Sequence, residues 1–376
     1  SPPEVQTTQI YRGAVAFIGL QIIGIVIAAS YPPIVNYLPN RTYLTSDTAP
    51  PPVNPKIQHC LESIVHPRIL DERSELEQAV KQFQNTDLAS LPEPNRKALE
   101  DSANKVLSIV PLINNVRKSQ EELEEFSVDY ASLHYQVRDL QKAIKRLEKE
   151  SQENEQTIRR LQNTEDPLQI ERRKVLETRI EQIKVEQENL TSLIPEEWEV
   201  KRERFTELAE AERKARLAYR RNVEEAYQPM MELEELLKED SGIDQLRSVL
   251  EGLNNVIQKS NSKEATQAIK EVESVIGEVP GSYGIKSPLS KAMRFFRKEG
   301  PDREKALEFL NESLEVLTSE IAWRKAAKLN VLPAVREYAE SLKPTIGIRS
   351  QPRLSVELAK EVSACQADHR DVSLYF

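Results

Sequence analysis

One long apolar segment near the start of the chain constrains the fold most. It runs from Gly13 to Tyr31, carries no charge and has Gln21 as its one strongly polar residue. A bilayer hydrocarbon core of about 30 Å needs roughly 20 helical residues. Tyr11 and Arg12 lie where interfacial anchors usually lie. We therefore predict one transmembrane helix. A buried helix of a soluble protein is the alternative, although a charge-free run of this length is long for one.

The residues around this segment form a recognisable pattern. They are Pro2-Pro3-Glu4, Thr7-Thr8, Ile10-Tyr11-Arg12-Gly13, Phe17, Leu20-Gln21 and Leu38-Pro39. The pattern resembles the C-terminal end of the large permease subunit of TRAP transporters, the tripartite ATP-independent periplasmic transporters of the DctM type. It covers residues 1–40. The chain departs from the family at Ala14-Val15-Ala16, where a proline is usual, and in continuing for a long stretch beyond the last helix.

The resemblance implies a function and its partners. A permease of this type is a secondary transporter that imports small organic anions, usually carboxylates, together with sodium ions. It works with a small permease subunit and a periplasmic solute-binding protein, and it contacts membrane lipid. The family's substrate and sodium sites lie upstream of Pro2, so we expect no catalytic, cofactor-binding or metal-binding residue here, no cofactor and no enzymatic activity.

The resemblance also implies a location. The full protein would be a multi-pass protein of the bacterial inner membrane, of which this chain is a C-terminal piece. The last helix of the family runs from cytoplasm to periplasm, so we expect the extension after it to be periplasmic. The alternative function is a single-pass, membrane-anchored coiled-coil scaffold. The gene upstream of Ser1 would distinguish the two, because a permease needs further hydrophobic segments in frame.

The composition describes the extension. Charged residues make up 30% of the chain, glycine is scarce with 10 residues, and the net charge is −9. Such a composition is typical of long helices, so we predict an all-α fold. The mild acidity and interleaved charges argue against nucleic-acid binding, which needs a basic surface.

The predicted organisation has five parts. The last transmembrane helix comes first, followed by a Pro-rich linker, a long antiparallel coiled-coil hairpin, a bundle of short helices and a loose tail. The linker follows from the prolines near Pro50-Pro51-Pro52, which favour extended geometry. The transmembrane helix is predicted at 1–44, the linker at 45–70 and the hairpin at 71–233. The bundle of short helices follows at 234–343 and the tail at 344–376.

A heptad pattern predicts the hairpin. Apolar residues recur every three or four positions from Leu123 to Leu161, interrupted only by Ser151 and Asn154, which argues for a coiled coil. Residues 163–167 break the pattern, with Asp166 suited to cap the next helix and Pro167 to begin it. A helix from Asn95 to Leu161 would reach about 100 Å. Pro229 is expected to end the second helix of the hairpin. Self-association as a parallel homodimer through the same pattern remains open. The first heptad pattern consists of Leu123, Phe126, Tyr130, Leu133, Val137, Leu140, Ile144, Leu147, Ser151, Asn154, Ile158 and Leu161. The second pattern, after the break, consists of Leu176, Ile180, Ile183, Gln187, Leu190 and Ile194.

Few other residues suggest chemistry. Cys60 and Cys365 are far apart in sequence, so they predict no disulfide framework. A zinc site built from them with histidines fits no finger spacing. The paired carboxylates are interpreted as solvated helix faces. The histidines concerned are His59, His66 and His369, and the carboxylate pairs are Glu196-Glu197 and Glu234-Glu235.

Overall fold

All regular secondary structure in the described part of the chain is helical. The structure is a computed structural model, and it describes residues 7–30, 43–238, 242–296 and 300–368. The predicted all-α class is therefore confirmed for these residues. Short 3₁₀ segments span Ile243–Gln245, Met293–Phe296 and Ile346–Ser350. The α-helices are α1 Thr7–Ser30, α2 Pro55–Asp71, α3 Arg73–Gln84, α4 Glu93–Leu107, α5 Ile109–Arg160, α6 Pro167–Ser192, α7 Trp198–Leu236, α8 Leu246–Lys259, α9 Ser262–Gly277, α10 Tyr283–Ala292, α11 Arg303–Asn330, α12 Leu332–Leu342 and α13 Val356–Asp368.

The chain divides into two compact units. One consists of Ser1–Val110 and Arg220–His369 and is called the body below. The other consists of Pro111–Tyr219 and Arg370–Phe376, and its described residues are called the hairpin. This hairpin is shorter at both ends than the predicted range of 71–233.

Side-chain caps fix several helix starts. Asn54 accepts a hydrogen bond from the Lys56 amide at 3.0 Å and so begins α2. Asp166 accepts one from the Leu168 amide at 3.0 Å and begins α6, with Pro167 at the first helical position. Caps of this kind satisfy amides that have no partner within the helix. The predicted break between the two heptad patterns, including the roles of Asp166 and Pro167, is confirmed.

Within the hairpin, α5 pairs with the helices that return along it. Glu150 contacts Arg179, Tyr130 contacts Phe205, and Gln120 contacts Arg216. As the residue number falls on α5, it rises on the partner helices, so the pairing is antiparallel and lies within one chain.

Two details of the predicted helices are wrong. The helix expected from Asn95 is interrupted at Ser108, and α5 has 52 residues, about 78 Å at 1.5 Å per residue. Pro111 lies in the first turn of α5, where a missing amide proton is tolerated.

Pro229 was expected to end the second helix of the hairpin, yet α7 continues through it to Leu236. The flanking residues Ala226, Met230 and Leu233 are buried on one face, and this packing outweighs the cost of an interior proline.

The body has a core made by amphipathic helices. In α8 the buried residues are spaced three or four apart, as expected for one apolar face. They pack with buried side chains of α9, α10 and α11 into one hydrophobic cluster. The α8 residues are Leu246, Leu250, Leu253 and Ile257, and the others include Ile269, Ile276, Ile285, Leu289, Leu310 and Leu317.

The predicted linker and tail contain structured segments. Residues 45–70 include α2, whose buried face comprises Ile57, Leu61 and Val65. Residues 344–368 include a buried 3₁₀ turn and α13. Both predictions failed because nearby prolines and polar residues suggested loops, whereas a few apolar residues suffice to pack a short helix onto a neighbour. The end of the tail lies outside the described residues.

The predicted transmembrane segment falls in α1, a helix of 24 residues. The helix itself is confirmed. Taken over the residues that the structure describes, no helix meets the length and apolarity that a membrane span requires, so the span is unsupported. Tyr31, the predicted end of the segment, lies outside the described residues. So do Pro2-Pro3-Glu4 and Leu38-Pro39, which belong to the sequence pattern.

Candidate functional site

An aromatic cluster lies where α6 gives way to α7 in the hairpin. The Tyr130 ring lies 4.6 Å from the Phe205 ring and 5.9 Å from the Trp198 ring, and both pairs are stacked. Leu133 and Leu208 are buried in the same cluster. Aromatic pairs at these distances stabilise a fold beyond the area they bury. The cluster therefore holds the break at residues 193–197 against α5.

His134 borders this cluster. Its Nδ1 atom lies 3.4 Å from the Tyr130 hydroxyl, and its ring lies 5.9 Å from the Trp198 ring. Burial lowers the pKa of His134, and the nearby charge of Arg138 lowers it further. Burial also raises the pKa of Tyr130. Burial therefore favours the neutral form of each of these two side chains relative to a fully solvated one.

Charged residues join α5 to α6 farther along the hairpin. Arg179 donates to both carboxylate oxygens of Glu150, at 2.7 and 3.2 Å, and to Glu186 at 2.8 Å. The hydrogen bond from Arg179 lowers the pKa of Glu150 and is the largest contribution to that shift. A two-pronged contact of this kind fixes the relative position of two helices better than a single one.

Nearer the start of α5 the polar contact is buried. Arg216 pairs with Glu212 one turn away and donates to the Gln120 side chain at 3.1 Å. Arg216 and Glu212 are both nearly inaccessible to solvent. A buried charge needs such partners, so these residues select one helix pairing.

Cys60 and Cys365 form a disulfide, contrary to the interpretation from their spacing. Their Cα atoms are 5.6 Å apart although 305 positions separate them in sequence. The interpretation failed because α2 and α13 pack together, which sequence distance does not reveal. Both sulfurs are thus engaged, which excludes the zinc site considered with His59 and His66. No group of three or more metal-ligating residues occurs in the described ranges, and His369 lies outside them.

The paired carboxylates take part in ion pairs on helix surfaces. Glu197 pairs with Lys201 at 3.1 Å, and Glu234 pairs with Arg336 at 2.9 Å. Their interpretation as solvated helix faces is consistent with these contacts, since surface pairs of this kind contribute little to stability.

Two open cavities of moderate size occur among those in the described part of the body. One, of about 470 Å³, lies beside the α3–α4 connection and is lined by residues including Phe83, Asp87 and Arg96. The other, of about 420 Å³, is lined by apolar residues and by the cations Arg324 and Lys325 among others. Arg324 is held by the Leu236 and Pro280 carbonyl oxygens, so its charge serves the fold.

Comparison with family models, with curated proteins and with solved structures found no match. The features that distinguish the chain are therefore those of its own geometry: the apolar helix α1, the hairpin with its aromatic cluster, and the disulfide between α2 and α13. The sequence predicted the helix α1 and most of the hairpin. It missed the disulfide, for which an even cysteine count was the one available signal.

Proposed function

We propose that the chain is the C-terminal part of the large membrane subunit of a TRAP-type transporter. The permease would import small organic anions, of which carboxylates are the expected class, together with sodium ions. The observation that carries this proposal is the residue pattern of positions 1–40 described above. The hairpin and body would then be an accessory extension to the membrane part.

The surface of α1 supports the membrane part of this proposal. Large apolar side chains are exposed at nine positions from Val15 to Ile27, and they point in all directions around the helix. A helix that is apolar on every side belongs in a protein core or in a bilayer. A bilayer, or other helices of a permease within it, would cover this surface. The side chains are Val15, Phe17, Ile18, Leu20, Ile22, Ile23, Ile25, Val26 and Ile27.

The hairpin suits contact with another protein. Its outer faces carry alternating charges, together with isolated exposed apolar side chains at Val128, Val175 and Val200. The expected partners are the periplasmic solute-binding protein and the small permease subunit, with the body and hairpin on the periplasmic side. The hairpin would dock the solute-binding protein.

Uptake into proteoliposomes tests the transport proposal. The intact permease, supplied with its small subunit, solute-binding protein and a sodium gradient, should accumulate a labelled carboxylate. A matched variant in which a Gly-Ser loop replaces 111–219 should retain the permease but lose efficient use of the binding protein. No sodium-dependent uptake by the intact protein would overturn the permease proposal. Unchanged uptake by the hairpin variant would overturn the docking role alone.

A single-pass, membrane-anchored scaffold is the second candidate. It is favoured by the combination of one apolar helix with a hairpin whose two sides pair within one chain. Under this function the hairpin would bind envelope proteins, with no transport. Sequencing the gene upstream of Ser1 separates the two candidates. In-frame hydrophobic segments support the permease, and a nearby start codon supports the scaffold.

A further inference from the structure

The Cys60–Cys365 bridge joins α2 to α13, the last helix in the described part of the chain. Cys60 lies in α2, which is close in sequence to α1, and Cys365 lies in α13. Disulfides form and persist in oxidising compartments and are rare in the bacterial cytosol. The bridge therefore bears on where the extension is located, independently of any resemblance to a transporter.

The two sulfurs differ in accessibility. Cys60 is 2% exposed, whereas Cys365 is half-buried near the end of α13. The Ser63 hydroxyl lies 3.8 Å from the Cys365 sulfur, and Cys60 is among the buried residues of α2, together with Ile57 and Leu61. An attacking thiolate needs access to a sulfur atom. The folded chain offers such access, in part, only at Cys365.

Attack at Cys365 has an unfavourable leaving group. The thiolate would form a mixed disulfide with Cys365, and the bond electrons would leave on Cys60. A thiolate at a buried apolar position is disfavoured, so this step is slow while α13 remains in place. The released Cys60 thiolate must then take a proton from solvent, and a second external thiol must resolve the mixed disulfide.

Noncovalent contacts hold α13 over the bridge. Ala359 and Val362 are fully buried, Arg68 pairs with Glu361 at 2.5 Å, and the Gln366 side chain donates to the Lys56 carbonyl oxygen at 2.8 Å. These contacts keep α13 on α2 and keep solvent from Cys60. Local opening of a terminal helix is the process that would remove this protection.

We propose that the Cys60–Cys365 bridge is a structural disulfide formed in an oxidising compartment, and that its reduction requires α13 to detach from α2. In its formation, an oxidised thiol–disulfide oxidoreductase accepts the two electrons from the Cys60 and Cys365 thiols, and their two protons pass to solvent and to the reduced enzyme. This inference goes beyond the transport function and does not depend on it.

Reduction kinetics of the full chain test the requirement for detachment. Folded protein is treated with increasing dithiothreitol, quenched with an alkylating reagent, and its free cysteines are counted by mass spectrometry. We expect a rate that reaches a plateau at high dithiothreitol, since opening becomes limiting, and that is at least about tenfold below the rate in denaturant. A rate that stays proportional to dithiothreitol and matches the denatured rate would overturn the proposal.

Substitutions in α13 sharpen this test. Val362→Ala weakens the contact of α13 and should raise the plateau rate roughly fivefold or more. Lys360→Ala, on the exposed side of the same helix, should leave the rate within about twofold. Equal rates for the two variants would contradict the proposal. If circular dichroism shows that Val362→Ala unfolds the body, the plateau in the reduction rate of the unaltered chain still tests the proposal.

Trapping in cells tests the compartment. Bacteria producing the chain with its membrane segment are acid-quenched and alkylated, and the redox state of both cysteines is read by mass spectrometry. We expect the bridge in most molecules, and free thiols when the thiol oxidase of the periplasm is deleted. Free thiols in the parent strain would overturn the compartment assignment.

Discussion

Close contact between Gly347 and Tyr227 fixes one part of the body at the scale of single residues. A Cβ atom on Gly347 would lie 2.6 Å from a ring carbon of Tyr227, which is 2% exposed. The ring is buried, and a Cβ atom at this distance would force it to shift, so the close approach and not the backbone conformation favours glycine here.

We predict that Gly347→Ala destabilises the chain by about 1–3 kcal/mol, because the added methyl group overpacks a filled site. Gly252→Ala is the matched control. No atom lies within 4 Å of its Cβ position, in the middle of α8, so this change should be neutral or stabilising by up to about 1 kcal/mol. Chemical denaturation of both variants measures the difference. A similar effect of both changes would show that Tyr227 can move aside.

His134 gives the hairpin a pH dependence. Burial, followed by the charge of Arg138, lowers its pKa in the folded chain below the usual value. The unfolded chain therefore binds the proton more tightly than the folded one. The resulting stability is present above the unfolded pKa of about 6.5 and is lost as the pH falls from there toward the lower folded pKa.

We predict that the loss of stability between pH 7.5 and pH 5.5 is smaller in His134→Gln than in the unaltered chain. The carboxylates whose pKa values are lowered, such as Glu150 and Glu210, titrate below this interval. Thermal melts at the two pH values compare the proteins, and the other histidines are present in both. An equal pH dependence would mean that the imidazole is solvated.

At the scale of elements, the burial of each side chain along α6 sets its contribution to the stability of the hairpin. Ile183 is fully buried, whereas Val185, two positions on, is 57% exposed. Ile144 of α5 is half-buried, as expected when a helix pairs with one partner. Buried positions such as Ile183 therefore contribute more to the stability of the hairpin than exposed ones such as Val185.

We predict that Ile183→Ala costs about 2–5 kcal/mol of unfolding free energy, because it leaves a cavity between α6 and α5. Val185→Ala, the same kind of truncation on the outer face of α6, should cost less than about 0.5 kcal/mol. Denaturant titrations followed by tryptophan fluorescence, in a Trp323→Phe background so that Trp198 is the one emitter, report on the hairpin. Comparable losses would mean that the pairing of α6 differs from the one described.

The elements also show what sequence alone could give. Periodicity identified the heptad pattern from Leu123 to Leu161, because a spacing of three and four residues is a local property of helices. Composition gave the helical class for the same reason. The pairing of Cys60 with Cys365 and the packing of α13 depend on contacts between distant parts of the chain, and no local signal carries them. Pro229 was misread because tertiary packing outweighed a local preference.

At the scale of the whole molecule, both candidate functions depend on α1. Under either one, its apolar surface would set the location of the chain, and the body and hairpin would carry the surfaces for protein contact. Both candidate functions, the permease and the scaffold, require this helix to enter the bilayer. The disulfide inference adds which side of the membrane the body should occupy.

Membrane extraction of the full chain tests this requirement most directly. Membranes containing it are washed with alkaline carbonate, and the protein is followed in pellet and supernatant. We predict that the unaltered chain stays in the pellet. The double variant Leu20→Asp with Ile23→Asp should be released into the supernatant, because each charge costs about 3 kcal/mol at the centre of a membrane helix. The control variant Val128→Asp with Val200→Asp, at exposed hairpin positions, should stay in the pellet. Release of the unaltered chain into the supernatant would contradict the membrane role of α1 and, with it, both proposed functions.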